Sequence, residues 1–342
     1  MKFNMKKRFT LSFLLLTFVA QAQVIPVGFI KAKYNTIPPT LSTTTTYFSL
    51  GLVDAKISGN ITSTGGSSII VSGICYSVSN TTPTINDNVT TNGSTSIGLF
   101  KSLISGLTSN TTYYARAYAT NSSGTSYGNT ITFSTYGTVT TLTGKTWLDR
   151  NLGALRVATS ATDASAIGDF FQWGRPADGH ESQWRRNNNN SGWTNTASST
   201  TIPANDLWIY VAPGNDWLVT ADITLWKTEN TVNNPCPSGY RIPTEQEWEA
   251  ERVKFTSNNS AGAFSYSLKL TAAGGILGTY SNSGAGFLYT GNGYYATQTA
   301  NNSITYPSRP NSVKYTGISS NNVWQDTNLQ KGYGYPCRCI QN

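Results

Sequence analysis

From Tyr47 to Thr135 the chain is built of short stretches in which apolar and polar residues alternate. Ser68-Ile69-Ile70-Val71-Ser72-Gly73-Ile74-Cys75-Tyr76-Ser77 is the clearest, and turn residues such as Thr64 to Gly66 and Asn92-Gly93 close these stretches. A period of two puts alternate side chains on opposite faces of a strand, and closely spaced turn signals leave no room for long helices. Charged residues are only 12% of the chain while Thr, Asn, Ser, Gly and Tyr abound, a mixture that favours pleated strands and turns over helical bundles. The expectation is a mainly β protein with some α, opening on a β-sandwich over residues 47–136.

Ahead of that region, Lys2, Lys6, Lys7 and Arg8 precede an apolar run from Leu11 that ends in Ala20-Gln21-Ala22. This is the pattern of a signal peptide over residues 1–23, too short to span a bilayer and offering small residues to a signal peptidase. No later apolar segment is long enough to cross a membrane, so a secreted, cell-surface or periplasmic protein is expected. Residues 24–46, with Pro26, Pro38, Pro39 and the run Thr43 to Thr46, read as a linker. The formal charge of +8 is mostly a property of the leader: four of the 24 Lys and Arg and none of the 16 acids lie there, leaving +4 for the rest. The remaining basic residues are scattered, which argues against a nucleic-acid partner.

Residues 137–342 differ in kind. Eight of the nine Trp fall between Trp147 and Trp248, and the ninth is Trp324. One helix is evident: Thr244 caps it, Glu247 three residues on completes a capping box, and Trp248 and Phe255 share its buried face out to about Phe255. Four cysteines, Cys75, Cys236, Cys337 and Cys339, allow three pairings in an oxidising compartment. Cys337 and Cys339 lie on one face of a strand too far apart to bridge each other easily.

Two resemblances organise these observations. Leu107, Tyr113 and Tyr114, followed by Gly124 to Gly128 and Ile131 to Thr135, resemble the end of a fibronectin type III-like domain. There Leu107 would plug the sandwich while a Tyr113 or Tyr114 hydroxyl bonds backbone at the corner. Trp147 to Leu152, Asn234 to Trp248 (with Cys236-Pro237-Ser238-Gly239-Tyr240 leading into Pro243-Thr244) and Gly334 to Cys339 resemble the Fibrobacter succinogenes major paralogous domain. That resemblance covers residues 137–340 and implies a fold related to C-type lectins and to the formylglycine-generating enzyme, with a second helix starting near Ala164 and a strand over 291–299. It also implies a Cys236–Cys339 disulfide, whose loop of roughly 100 residues would contribute about 4 to 5 kcal/mol in the chain-entropy model. Cys337 departs from the family pattern, leaving it either unpaired and buried, in competition with Cys339 for Cys236, or bridged to Cys75.

Several features invite chemistry. Two thiols at Cys337 and Cys339 raise a copper site of the cysteine-oxidase kind, against which stands the poor convergence of Cys-x-Cys at a strand end. Asp178-Gly179-His180-Glu181 gathers potential ligands around the only His, a weak zinc signal, and is read as a turn with a solvated His180. Gly274 to Gly278 lacks the spacing of a phosphate loop and is read as a turn-rich loop. Structural calcium is an option for a lectin-like fold, with no ligand set to name; no other cofactor is expected.

The function expected is non-enzymatic: a binding or adhesion protein in which a sandwich spacer presents a lectin-like domain to a glycan or a surface protein. Trp184, Trp193, Trp208 and Trp217, in loops with too few regular strands to bury them, are the expected recognition residues. The alternatives are a passive envelope component and a copper-dependent cysteine oxidase.

Overall fold

The computed structural model describes residues 35–182, 193–211, 216–227, 232–272, 274–277, 287–288, 291–301 and 312–342. The expected signal peptide and residues 24–34 lie outside them. Among the described residues no helix is long and apolar enough to cross a membrane. Strand is the dominant structure.

The first eight strands form a two-sheet sandwich: β1 (Thr40–Leu50), β2 (Asp54–Ser63), β3 (Val71–Ser77), β4 (Asn88–Val89), β5 (Gly98–Ser105), β6 (Thr112–Asn121), β7 (Gly124–Tyr127) and β8 (Ile131–Ser134). One sheet runs β1-β2-β5 and the other β4-β3-β6-β7 with β8 also on β6, all antiparallel. The alternation in β5 is direct: Phe100, Ser102 and Ile104 point inward while Leu99, Lys101 and Leu103 are exposed. Ile57 and Ile61 of β2, Ile74 of β3, Ala115 and Ala117 of β6 and Phe133 of β8 complete the core. Phe100 lies so close over Gly59 that a Cβ there would meet its ring at 2.3 Å, so this strand position admits only glycine. Leu107 is buried in the same core and the Tyr113 hydroxyl accepts the Thr108 N–H at 2.9 Å, closing the corner on Tyr113 rather than Tyr114.

The linker expected over residues 24–46 is corrected from Thr40 onward, where the Thr-rich run is strand β1. Thr43 accepts the Ala117 N–H on its Oγ1 at 2.9 Å, and Asn129 takes the Thr43 N–H at 3.1 Å. β-branched Thr suits a sheet, and its partners lie more than 70 residues away for Ala117, where local composition cannot reveal them.

Beyond Tyr136 the chain builds short sheets joined by long irregular connections. Thr138–Thr140, Thr146–Leu148, Ile340–Gln341 and Tyr240–Arg241 make one sheet that brings the start and end of this region together. Phe170–Gln172, Gly334–Pro336, Ile276–Leu277 and Phe287–Leu288 make a second, and Gly293–Asn301, Ser312–Ile318 and Val323–Gln330 a third. Of Gly274 to Gly278, expected as loop, Ile276–Leu277 is thus strand, and Gly278 lies outside the described residues.

Helix α1 (Glu245–Arg252) starts on the full Thr244–Glu247 capping box and ends at Val253; single turns carry the chain on to Phe255. It lies against the third sheet, where the Trp248 indole donates to the Ala296 carbonyl at 3.1 Å, and the same ring packs at a tilt against Trp147 of the first sheet with ring centres 4.9 Å apart. The helix expected at Ala164 is a single 3-10 turn, Ala164–Ala166, capped by Asp163 and closed off before Gly168 at φ +83°. The second helix, α2 (Ser260–Ser265), begins instead on an Asn259 cap.

The two regions share packing. Tyr136 is buried in the core of the second region, its N–H bonds the Gly51 carbonyl at 3.0 Å, and its hydroxyl accepts the Gly153 N–H at 2.7 Å. Arg150 caps this joint, donating to the carbonyls of Ser134 and Thr135 at 2.6 and 2.7 Å with its guanidinium over the Tyr136 ring.

Candidate functional site: a hydroxyl-lined cleft over a tryptophan core

The four tryptophans expected to bind ligand separate on folding. Trp184 lies outside the described residues. Trp208 and Trp217, at 1% and 0% exposure, are core residues, which corrects their assignment to a recognition surface. The Trp217 indole donates to the Trp173 carbonyl at 2.7 Å, and the Trp208 ring sits on Gly334, where a Cβ would meet it at 2.4 Å. With few regular strands available, the indoles themselves form the core that the loops wrap. Of the three that are described, Trp193 alone is partly exposed, packed against Trp208 and paired with it in a short parallel ladder, Trp193–Thr194 with Trp208–Ile209.

Beneath these loops lies a polar network that the sequence misrepresents. His180, expected as solvated, is fully buried. Its Nε2 accepts the Gln172 backbone N–H at 3.1 Å, which places the ring proton on Nδ1, 2.6 Å from Asp178 Oδ1. Burial foremost, then the nearby Arg175 cation, push His180 down to about 4, so the ring is neutral. Arg175 donates to Asp178 at 2.9 Å, to Gln172 Oε1 at 2.7 Å and to the carbonyl of Leu207 at 2.8 Å. Glu181 accepts the Gly179 N–H, and burial, aided by the neighbouring Asp169 charge, pushes it up to about 8.

Asp178, His180 and Glu181 bring ligand-type atoms within 4.8 Å of one another. They do not fit a metal through the imidazole: Nδ1 could bind a cation only by moving its proton to Nε2, where it would oppose the Gln172 N–H. The same bond denies His180 a free nitrogen to act as a general base. The network instead fastens the strand Phe170–Gln172 to the loop 205–209.

The cysteines are equally committed. Cys236 and Cys339 form a disulfide with Cα atoms 5.9 Å apart, the pairing the family resemblance implied. Cys75 and Cys337 are free and buried, so the bridge weighed between them is absent. Burial pushes the Cys75 thiol up to about 11 and Cys337 well above its ordinary value. With Cys339 bonded to Cys236 and Cys337 held as a thiol, the two-thiolate copper site is not assembled.

What the loops leave open is a cleft of about 350 Å³ lined by Ser199, Thr201, Leu218, Thr220, Ala221, Asp222 and Ile223. One wall follows the ladder beyond Ser198, whose N–H bonds the Trp217 carbonyl at 2.8 Å. The buried Asn233 side chain holds that wall by donating to the Thr201 carbonyl at 2.7 Å and to the Gly174 carbonyl at 2.9 Å. The buried Lys331 holds the other, its Nζ 3.1 Å from both the Asp222 carbonyl and Asp216 Oδ2. Both walls are therefore pinned by buried side chains, a preorganised arrangement. No motif marked these residues: they are small and polar, and only the fold of two separate loops brings them together.

No family model matches the chain, and no curated protein matches it. Among solved structures, the sensor domain of the anti-sigma factor RsgI4 of Pseudobacteroides cellulosolvens is 19% identical, over 29% of this chain and 94% of that one, with a TM-score of 0.22. The third fibronectin III domain of the human KIAA0343 protein is 15% identical, over 29% of this chain and 82% of that one, with a TM-score of 0.20. At these scores neither likeness bears on function.

Proposed function

We propose that this is an exported, non-enzymatic glycan-binding protein whose recognition site is the cleft between residues 199–201 and 218–223. The carrying observation is the pairing of rigid walls with unspent polar groups. No hydrogen bond within the protein engages the side-chain hydroxyls of Ser199, Thr201 and Thr220 among the described residues, while Leu218, Ala221 and Ile223 supply apolar surface beside them. Sugars present the matching pattern of hydroxyl edges and apolar C–H faces.

Export is supported by the basic-then-apolar leader and by a disulfide, which persists in oxidising compartments. A lectin-like character for residues 137–342 rests on the motifs that resemble the Fibrobacter succinogenes major paralogous domain. A non-enzymatic role is favoured by the commitment of His180 and Cys339 to structural bonds.

The test is a glycan-array screen of the full chain beside an Ala221→Trp variant, in which the indole would fill the cleft from an exposed position. Saturable binding by the parent that is lost in a variant of unchanged melting temperature supports the proposal. Binding that survives Ala221→Trp, or a blank array from correctly folded protein, overturns it.

A further inference from the structure

Resting on that glycan reading, we infer that the cleft selects amino sugars bearing a free ammonium group, with Asp222 as the residue that recognises the charge. Asp222 is the one ionisable residue in the lining, and no Lys or Arg side chain lines the cleft to neutralise it. Its Oδ1 is fully occupied, accepting the Thr224 N–H and the Thr224 hydroxyl, both at 2.7 Å. Its main-chain carbonyl accepts from Lys331 at 3.1 Å, and that ammonium is spent on the buried Asp216 as well. The residue is thus held at both ends, while Oδ2 has no protein partner among the described residues.

An ionised carboxylate only accepts hydrogen bonds, whereas the Ser199, Thr201 and Thr220 hydroxyls can donate or accept. The cleft therefore has adaptable groups for sugar hydroxyls and a single fixed acceptor carrying charge. A uronic acid or sulfated sugar would place like charge against Asp222. A neutral sugar would satisfy it with an ordinary hydroxyl. An ammonium would satisfy it with a hydrogen bond that also pairs two full opposite charges, in a concave site that screens the pair less than open water does. The volume of about 350 Å³ suits one to two sugar rings.

The experiment is isothermal titration of the full chain with a glucosamine disaccharide, its N-acetylated counterpart and a galacturonate disaccharide. The expected result is preference for the free amine by about tenfold or more, from the opposite charge that the ammonium adds to the bond. No binding of the uronate is expected. Asp222→Asn keeps the Oδ1 acceptor for Thr224 and should abolish the preference without abolishing binding. A second readout needs no variant: affinity for the glucosamine disaccharide should fall as rising pH removes its proton, while affinity for the acetylated sugar stays level. Equal binding of acetylated and free sugars, or a preference unchanged in Asp222→Asn, overturns the inference while leaving the glycan reading intact. Absence of binding to all three sugars also overturns it, and the glycan reading falls with it only if the array is blank as well.

Discussion

Glu251 accepts the indole N–H of Trp147 at 3.1 Å, joining the last turn of α1 to a strand more than 100 residues earlier. The same carboxylate takes the hydroxyls of Thr141 at 2.7 Å, Thr143 at 2.5 Å and Tyr266 at 2.5 Å. Four donors converge on a buried acid that no cation pairs among the described residues, and Tyr266 is pushed up to about 12 by burial and then by this bond. Glu251→Ala would strand those donors away from water. Each lost partner costs about 1–3 kcal/mol, so a destabilisation of roughly 3 kcal/mol or more is expected in urea unfolding. Glu251→Gln, which keeps an acceptor, should cost markedly less.

The buried tryptophans and the half-exposed one should part company on mutation. Trp217→Ala removes a fully buried ring and the bond to the Trp173 carbonyl, and Trp208→Ala empties the space over Gly334. Both should lose about 3–5 kcal/mol of stability. Trp193→Ala, at a half-exposed site, should lose roughly half of that or less. Thermal melts of the three variants check the order; equal losses would place Trp193 in the core as well.

What was legible in the sequence was local. The Thr244–Glu247 capping box is complete within four residues, so spacing exposes it, while the tyrosine corner came with the fibronectin type III resemblance, which left Tyr113 and Tyr114 open. The Cys236–Cys339 bond came from family resemblance, since spacing left the pairings open. What failed depended on distant partners. β1 looks like a linker until its sheet is present, and His180 sits in a polar local sequence while the ring is kept neutral by burial in the folded core and by the Arg175 cation. Trp208 and Trp217 were misplaced because a region short of strands was expected to lack a core, whereas the indoles supply it. The cleft had no signature at all: Thr201 and Asp222 become walls only through Asn233 and Lys331.

The buried acid and imidazole give the fold an uneven pH profile. Glu181 rises from 4.5 to about 8 on folding, so between those values the native state holds a proton that the unfolded chain has released. Its contribution is present below pH 4.5 and is lost as pH rises towards 8. His180 falls from 6.5 to about 4, so its contribution is present above 6.5 and is lost on acidification through 4. Between 4.5 and 6.5 the two slopes oppose each other, and between 6.5 and 8 Glu181 acts alone. Stability should therefore decline by up to about 1.4 kcal/mol per pH unit across the upper window. Denaturant titrations from pH 5 to 9 on the parent and on Glu181→Gln measure this: the variant should lose the alkaline decline, and a decline that persists would assign it to other groups.

The joint between the sandwich and the second region should make them unfold together. Tyr136 carries strand β8 directly into the second core, while Leu50, at the end of β1, packs against both cores. Arg150, 2% exposed, spends its guanidinium on Ser134, Thr135 and Asp149, so the last carbonyls after β8 depend on a side chain from the other region. Arg150→Ala leaves those carbonyls and Asp149 without their buried donor, at a cost of roughly 3–5 kcal/mol for breaking a buried charged pair. Because that loss falls on the shared surface, it should weaken coupling more than it weakens either core. Calorimetry of the full chain should show one cooperative transition that separates into two in Arg150→Ala. Two transitions already present in the parent would mean that Tyr136 and Arg150 join the regions without coupling their unfolding, and a spacer that moves independently of the binding region would then be the better description.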